Sequence, residues 1–180
     1  MKKITVRKAT KKDLPAVLSL IKELATYEKA PHEVKVTLKE LERDGFGKEK
    51  VYDCFVAEIV GRTELGGGSR KPSSLSQLRP PKLLAGIALY YTKYSTWKGR
   101  CIYLDDIIVT ESMRGEGIGR LLFDAVIEVA KKKKARKLEW QVLNWNEPAI
   151  GFYKKYSTVF DNEWINCSLR SPFRDKLVFE

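Results

Sequence analysis

From Ile4 to Arg7 apolar and polar residues alternate, the period of a half-buried strand. The period then lengthens. Leu14, Val17, Leu18, Ile21, Leu24 and Ala25 recur three and four residues apart, which predicts an amphipathic helix. Thr10, with Asp13 three residues on, supplies its starting signal, a cap followed by an acid in the first turn. Thr37 to Asp44 predicts a second, short helix ended by Gly45 and Gly47. Val51 to Val60 is apolar and β-branched and predicts a strand.

Strand patterns return at Leu83–Tyr94 and Cys101–Thr110, joined through Ser95–Arg100. A glycine-rich turn at 114–119 follows, then a long helix with Ile118, Leu121, Leu122, Ala125, Val126 and Val129 on one face. Lys131–Lys134 close that helix, where cations suit the negative end of its dipole. Lys137–Leu143 predicts another strand. Asn146 caps a short helix with Pro148 in its first turn, and Glu163–Leu169 and Lys176–Phe179 predict two last strands. Mixed α and β around one sheet defines an α/β (α+β) class with a central, mostly antiparallel sheet. Residues 61–82 break the pattern with Gly66-Gly67-Gly68, several serines and three prolines, and cannot bury enough apolar surface to order themselves. Strand patterns resume on both sides, so 61–82 is expected to be a flexible loop inside a single domain, 1–180.

A chain of 180 residues supports one core and leaves little room for two. Net charge changes the picture more. At +11 the chain suits an anionic partner: nucleic acid, a membrane surface or a phosphate-rich cofactor. Lys131–Lys134, Arg136 and Lys137 form one basic cluster, and Arg62, Arg70, Lys71, Arg79 and Lys82 another. No apolar run approaches the roughly 20 residues that cross a bilayer, so no membrane association is expected. Met1–Val6 lacks a secretory stretch, which makes the expected location cytoplasmic. Cys54, Cys101 and Cys167 are scattered and odd in number, and His32 is the one histidine, so free thiols and no metal site are expected.

The candidate chemistry lies where the apolar strand Ile102–Val109, interrupted by Asp105 and Asp106, runs into Arg114-Gly115-Glu116-Gly117-Ile118-Gly119-Arg120. Strand, glycines and helix start make an anion-binding arrangement, because glycines admit close approach and the first helical N–H groups are unpaired. A phosphate-binding P-loop would end in Gly-Lys-Ser/Thr, and Gly119-Arg120-Leu121 stands there instead. A Rossmann fingerprint spaces its glycines G-x-G-x-x-G, and these fall at 115, 117 and 119. Alone, such a turn also reads as a connection without a ligand.

The turn has company. Arg114-x-x-Gly117-x-Gly119 after an apolar strand resembles the acetyl-CoA signature of the GNAT acetyltransferases, and Asn144-Trp145-Asn146-Glu147-Pro148 through Lys155 resembles its second half. Leu20–Ala25, Tyr27-Glu28 and Asp44–Gly47 are similar to the diamine (spermidine/spermine) acetyltransferase branch, and Tyr94–Arg100 resembles the thialysine acetyltransferases within it. The likeness spans nearly the whole chain except 61–82. It implies a GNAT fold, acetyl-CoA as cosubstrate, a primary amine of a small molecule as acceptor, and a homodimer. It also implies roles by position. Ile107, Ile108 and Val109 would flank the acetyl group and pantetheine, with Ile107 and Val109 offering backbone N–H groups. Arg114, Gly115, Glu116, Gly117, Ile118, Gly119 and Arg120 would hold the pyrophosphate, and Asn146 the pantetheine arm. Tyr153 would meet the cofactor as the general acid for the leaving thiolate, and Asp105 would be the general base, through water. Tyr27, Glu28, Ser95, Trp97, Asp105, Glu139, Trp140 and Gln141 would line the substrate pocket.

The chemistry requires such groups. An alkylamine has a pKa of about 10.4, so it arrives protonated and a carboxylate must take its proton before it attacks. Adjacent strand residues face opposite sides; Asp105 is expected in the site and Asp106 in a structural role. Three features depart from the branch: Asp105 where a glutamate is usual, Ser157 where a glycine is usual, and a longer 61–82 connection. Many polyamine enzymes carry an acid where Ser95 stands. With the basic surface, this favours a zwitterionic amine over a polycation, its carboxylate meeting Lys98 or Arg100. The competing readings are a basic nucleic-acid-binding module, against which the lysine cluster lacks interleaved aromatics, and acetylation of protein or peptide amines.

Overall fold

The computed structural model describes residues 3–60 and 83–169. The expected loop 61–82 and the strand expected at 176–179 lie outside them. The described residues up to Gln141 form one compact unit and those from Val142 a second.

The first unit is built on one sheet. Its strands are β1 (Lys3–Lys8), β2 (Asp53–Val60), β3 (Leu83–Ser95), β4 (Gly99–Val109) and β5 (Lys137–Glu139), side by side in chain order. Neighbours are antiparallel except β4 and β5, which run parallel. Helices α1 (Leu14–Tyr27) and α2 (Leu38–Phe46) supply Leu14, Val17, Leu20 and Leu41 to a core with Cys54, Val56, Ile87, Leu89 and Ile108 of the sheet. Helix α3 (Ile118–Lys132) buries Ile118, Leu122, Phe123 and Val126 and packs on β3 and β4. The stripe that predicts α1 packs on the core, joined there by Leu20; in α3 the covered face is turned from the predicted stripe, with Phe123 buried and Leu121 43% exposed.

The ends of these elements follow local chemistry. The Asp13 carboxylate accepts the Thr10 backbone N–H at 2.7 Å, but the turn it closes is a short 3-10 turn, Lys11–Asp13, that leads into α1. Thr37 caps α2 in a reciprocal box with Glu40. Gly45 does not end α2, which runs on to Phe46. Gly45 is there for closeness: a Cβ on it would lie 2.5 Å from the Tyr52 ring, whose hydroxyl donates to the Leu41 carbonyl at 2.7 Å. β2 begins at Asp53 rather than Val51, and β5 ends at Glu139 rather than Leu143.

In the second unit, α4 (Glu147–Lys154) starts at Asn146, whose side-chain oxygen accepts the Ala149 N–H at 3.3 Å. Ser157 has φ 54, the left-handed region that favours glycine. The strand expected at Glu163–Leu169 is absent. That stretch has no regular structure, and Trp164, Ile165 and Leu169 are largely exposed. A strand needs a paired neighbour for its backbone, and none stands beside it among the described residues.

Candidate active site

Strand β4 decides the site. β5 pairs with it only from Cys101 to Tyr103, so β4 from Leu104 to Val109, including Ile107, Ile108 and Val109, has no strand on that edge among the described residues. On the other edge its register to β3 slips: Leu89 faces Asp106 and Tyr90 faces Leu104, leaving Asp105 unmatched in a bulge. Past the slip, Asp106 takes the core side with Leu89, and it reaches a cavity of about 350 Å³.

Ile21, Leu24, Ala25 and Glu28, one face of the end of α1, form one wall of this cavity. Glu33, Val34, Lys35 and Val36, from the connection to α2, form another, and Asp106 completes the lining. Three carboxylates therefore share one space. Desolvation raises Glu28 above the ordinary carboxylate range, and likewise Asp105, which is itself exposed and does not line the cavity. Asp106 is pushed up to about 6, first by burial and then by repulsion from Asp105 and Glu28. Strand alternation predicts a structural role for Asp106; the bulge sets it in the cavity wall.

The glycine turn follows β4. Gly115 and Gly117 have φ 83 and 77, and a Cβ on either would meet nothing within 4 Å. The backbone here needs glycine and lies open. Gly117 is the N-cap of α3, whose first turn receives no side-chain cap. A strand edge without a neighbour, an open left-handed turn and an uncapped helix start fit a long, anionic, amide-bearing ligand such as a coenzyme A thioester. Gly119 and Ile118 lie inside α3; Glu116 and Arg120 are exposed, Arg120 pairing with Asp124 at 3.5 Å.

Arg114 is held from two sides. Its Nε donates to the Val109 carbonyl at 3.2 Å, and its guanidinium lies 4.7 Å from the Tyr27 ring centre. One turn earlier on α1, the Glu23 carboxylate accepts the Glu111 N–H at 2.9 Å. Tyr27 thus stands beneath the turn, and it is Glu28, its neighbour, that lines the cavity.

Other residues named from sequence are placed away from the cavity lining. The Ser95 hydroxyl accepts the Trp97 and Lys98 N–H groups at 3.3 and 3.2 Å, so it builds the tip of the β3–β4 hairpin, and Trp97 is 81% exposed. Burial would raise Glu139, but Lys137 and Lys93, at 2.9 and 3.3 Å, outweigh it and hold its carboxyl below the usual range. Trp140 packs edge-on to Phe123, and Gln141 is exposed. Tyr153, in the second unit, is buried against Phe152. Among the described residues no group of three metal-binding side chains gathers.

Residues 78–157 match the acetyltransferase (GNAT) family. Thialysine N-epsilon-acetyltransferase of Bos taurus is 41% identical over 151 residues, 84% of this chain and 81% of that protein. The Mus musculus protein of the same name is 38% identical over 83% of this chain and 80% of its own. An aminoglycoside acetyltransferase from an uncultured soil metagenomic sample, solved with trehalose, shares the fold at TM-score 0.65, 15% identical, covering 93% of this chain and 95% of that one. The chain belongs to the GNAT acetyltransferase family: it is an acetyltransferase, and acetyl-CoA is its cosubstrate.

Proposed function

We propose that the chain acetylates the primary amine of a small molecule of the thialysine or lysine type. The observation that carries this is the cavity lined by Glu28, Glu33 and Asp106, an anionic recess that suits an ammonium group. Acetyl-CoA supplies the activated acetyl thioester. The open turn Arg114–Arg120 and the start of α3 hold its pyrophosphate with backbone N–H groups, and the Arg114 guanidinium adds charge. The free edge of β4 at Ile107–Val109 holds the pantetheine and faces backbone donors to the thioester carbonyl. Asn146 contacts the pantetheine arm.

The amine binds as an ammonium and loses its proton to a carboxylate. The resemblance gives this role to Asp105, which is exposed and does not line the cavity and so would act through water; desolvation raises its carboxyl above the ordinary range, which makes it a better base than an ordinary aspartate. Tyr153 returns a proton to the sulfur that departs. A second reading gives the base role to Asp106, because it lines the cavity and its pKa of about 6 is poised for neutral pH. pH profiles of kcat/KM for Asp105→Asn and Asp106→Asn separate the two. The variant that loses the acidic limb with a large fall in kcat has lost the base. If neither falls, the carboxylate mechanism is wrong.

The homodimer implied by the resemblance fits the hairpin tip, where Tyr94 and Trp97 are 77% and 81% exposed and would be covered by a second copy. Light scattering at micromolar protein tests it, a monomer mass refuting it. The cysteines are free, as a reducing cytoplasm would keep them.

A further inference from the structure

Three carboxylates account for an amine but not for which amine. The cavity holds one opposite charge, Lys35, between Val34 and Val36 in the connection from α1 to α2. Lys35 is exposed at the wall, and among the described residues no carboxylate pairs with it. Lys98 and Arg100, the cations expected from sequence to meet a substrate carboxylate, do not line this space. Both lie at the β3–β4 hairpin, where Arg100 donates to the Lys133 carbonyl at 3.0 Å.

A recess meant for a polycation has no use for a lysine in its wall. That ammonium would repel every additional charge of a polyamine and offset the attraction of Glu28, Glu33 and Asp106. A recess with acids and one unpaired cation instead matches a molecule with an ammonium at one end and a carboxylate at the other. We propose that Lys35 is a specificity-determining residue that receives the substrate's carboxylate. The enzyme then takes the side-chain amine of a basic α-amino acid in preference to a diamine of equal length without a carboxylate. This rests on the reading that the cavity receives the amine.

The test compares two acceptors that differ only in the carboxylate: S-(2-aminoethyl)cysteine and bis(2-aminoethyl) sulfide. Wild type should favour the amino acid in kcat/KM by up to about fivefold, the size of an exposed ion pair. Lys35→Met should erase the preference by raising KM for the amino acid about fivefold, with kcat within twofold and the sulfide unchanged or improved. Lys35→Arg should keep the preference. Added salt should shrink it in wild type and leave Lys35→Met unmoved. Lys35→Gln serves equally should the methionine variant fail to fold. A wild type indifferent to the carboxylate, or a preference that survives Lys35→Met, overturns the assignment. If acetyl-CoA binds but neither acceptor is acetylated, the cavity reading itself fails.

Discussion

Asp106 costs the fold stability, and removing its charge should return it. Its carboxyl is raised from the ordinary 3.8 to about 6 by burial and by Asp105 and Glu28. A raised acid binds more protons folded than unfolded, so stability falls as pH rises from about 4 through 6 and stays low above. At about 1.4 kcal/mol per unit, the full cost is about 3 kcal/mol at pH 8 and about 0.5 kcal/mol at pH 4. Asp106→Asn keeps the shape and removes the charge. Urea unfolding of the ligand-free protein should show the variant gaining about 2.5 kcal/mol more over wild type at pH 8 than at pH 4. At pH 8 its melting temperature should rise by roughly 5–10 °C, the usual response at this chain length. The difference between the two pH values is the readout, because any change in hydrogen bonding on amidation is common to both. A variant whose gain is the same at both, or that is destabilised more at pH 8, would refute the placement of Asp106 beside two other carboxylates. Lost activity with gained stability is the signature of a group kept for function.

Four further outcomes rest on named backbone and side-chain features. Gly117→Val forces a β-branched residue into φ 77 at the head of α3, and calorimetry should show acetyl-CoA binding lost in a folded protein. Gly119 has no such φ, so Gly119→Ala should keep most of the binding. Tyr153→Phe should lower kcat by about 100-fold with acetyl-CoA affinity within a few-fold, and a wild-type kcat would return Tyr153 to packing alone. Ser157→Gly relieves a left-handed residue at φ 54 and should raise the melting temperature by roughly 2–4 °C, the equivalent of about 1 kcal/mol; a fall would contradict that backbone.

Helices α1 and α3 are legible in sequence because their apolar stripes are long and most of each stripe packs inward, although α3 buries Phe123 rather than Leu121. The turn 114–119 is legible because glycines at positive φ have few substitutes. Gly45 misleads because glycine serves close packing as readily as it ends a helix, and only the Tyr52 ring above it tells which. Asp106 is hidden by parity. Alternation says that Asp105 and Asp106 face opposite ways, but the slip at Leu89/Tyr90 decides which faces the cavity, and no local signal marks it. Lys35 is hidden because it sits in an irregular connection with no period to assign a face. Tyr27 and Glu28 are read together from the resemblance, yet one lies under Arg114 and the other in the cavity, because a 100° helical step separates neighbours.

The most direct test of the account is thiol release from acetyl-CoA by the purified chain with S-(2-aminoethyl)cysteine, with the product mass and acetylated nitrogen determined. The account predicts stoichiometric release with one acetyl group on the side-chain amine, and a rate that falls as pH drops through the range in which the cavity carboxylates take up protons. Tight acetyl-CoA binding with no amine-dependent release, across this and other small primary amines, would contradict it.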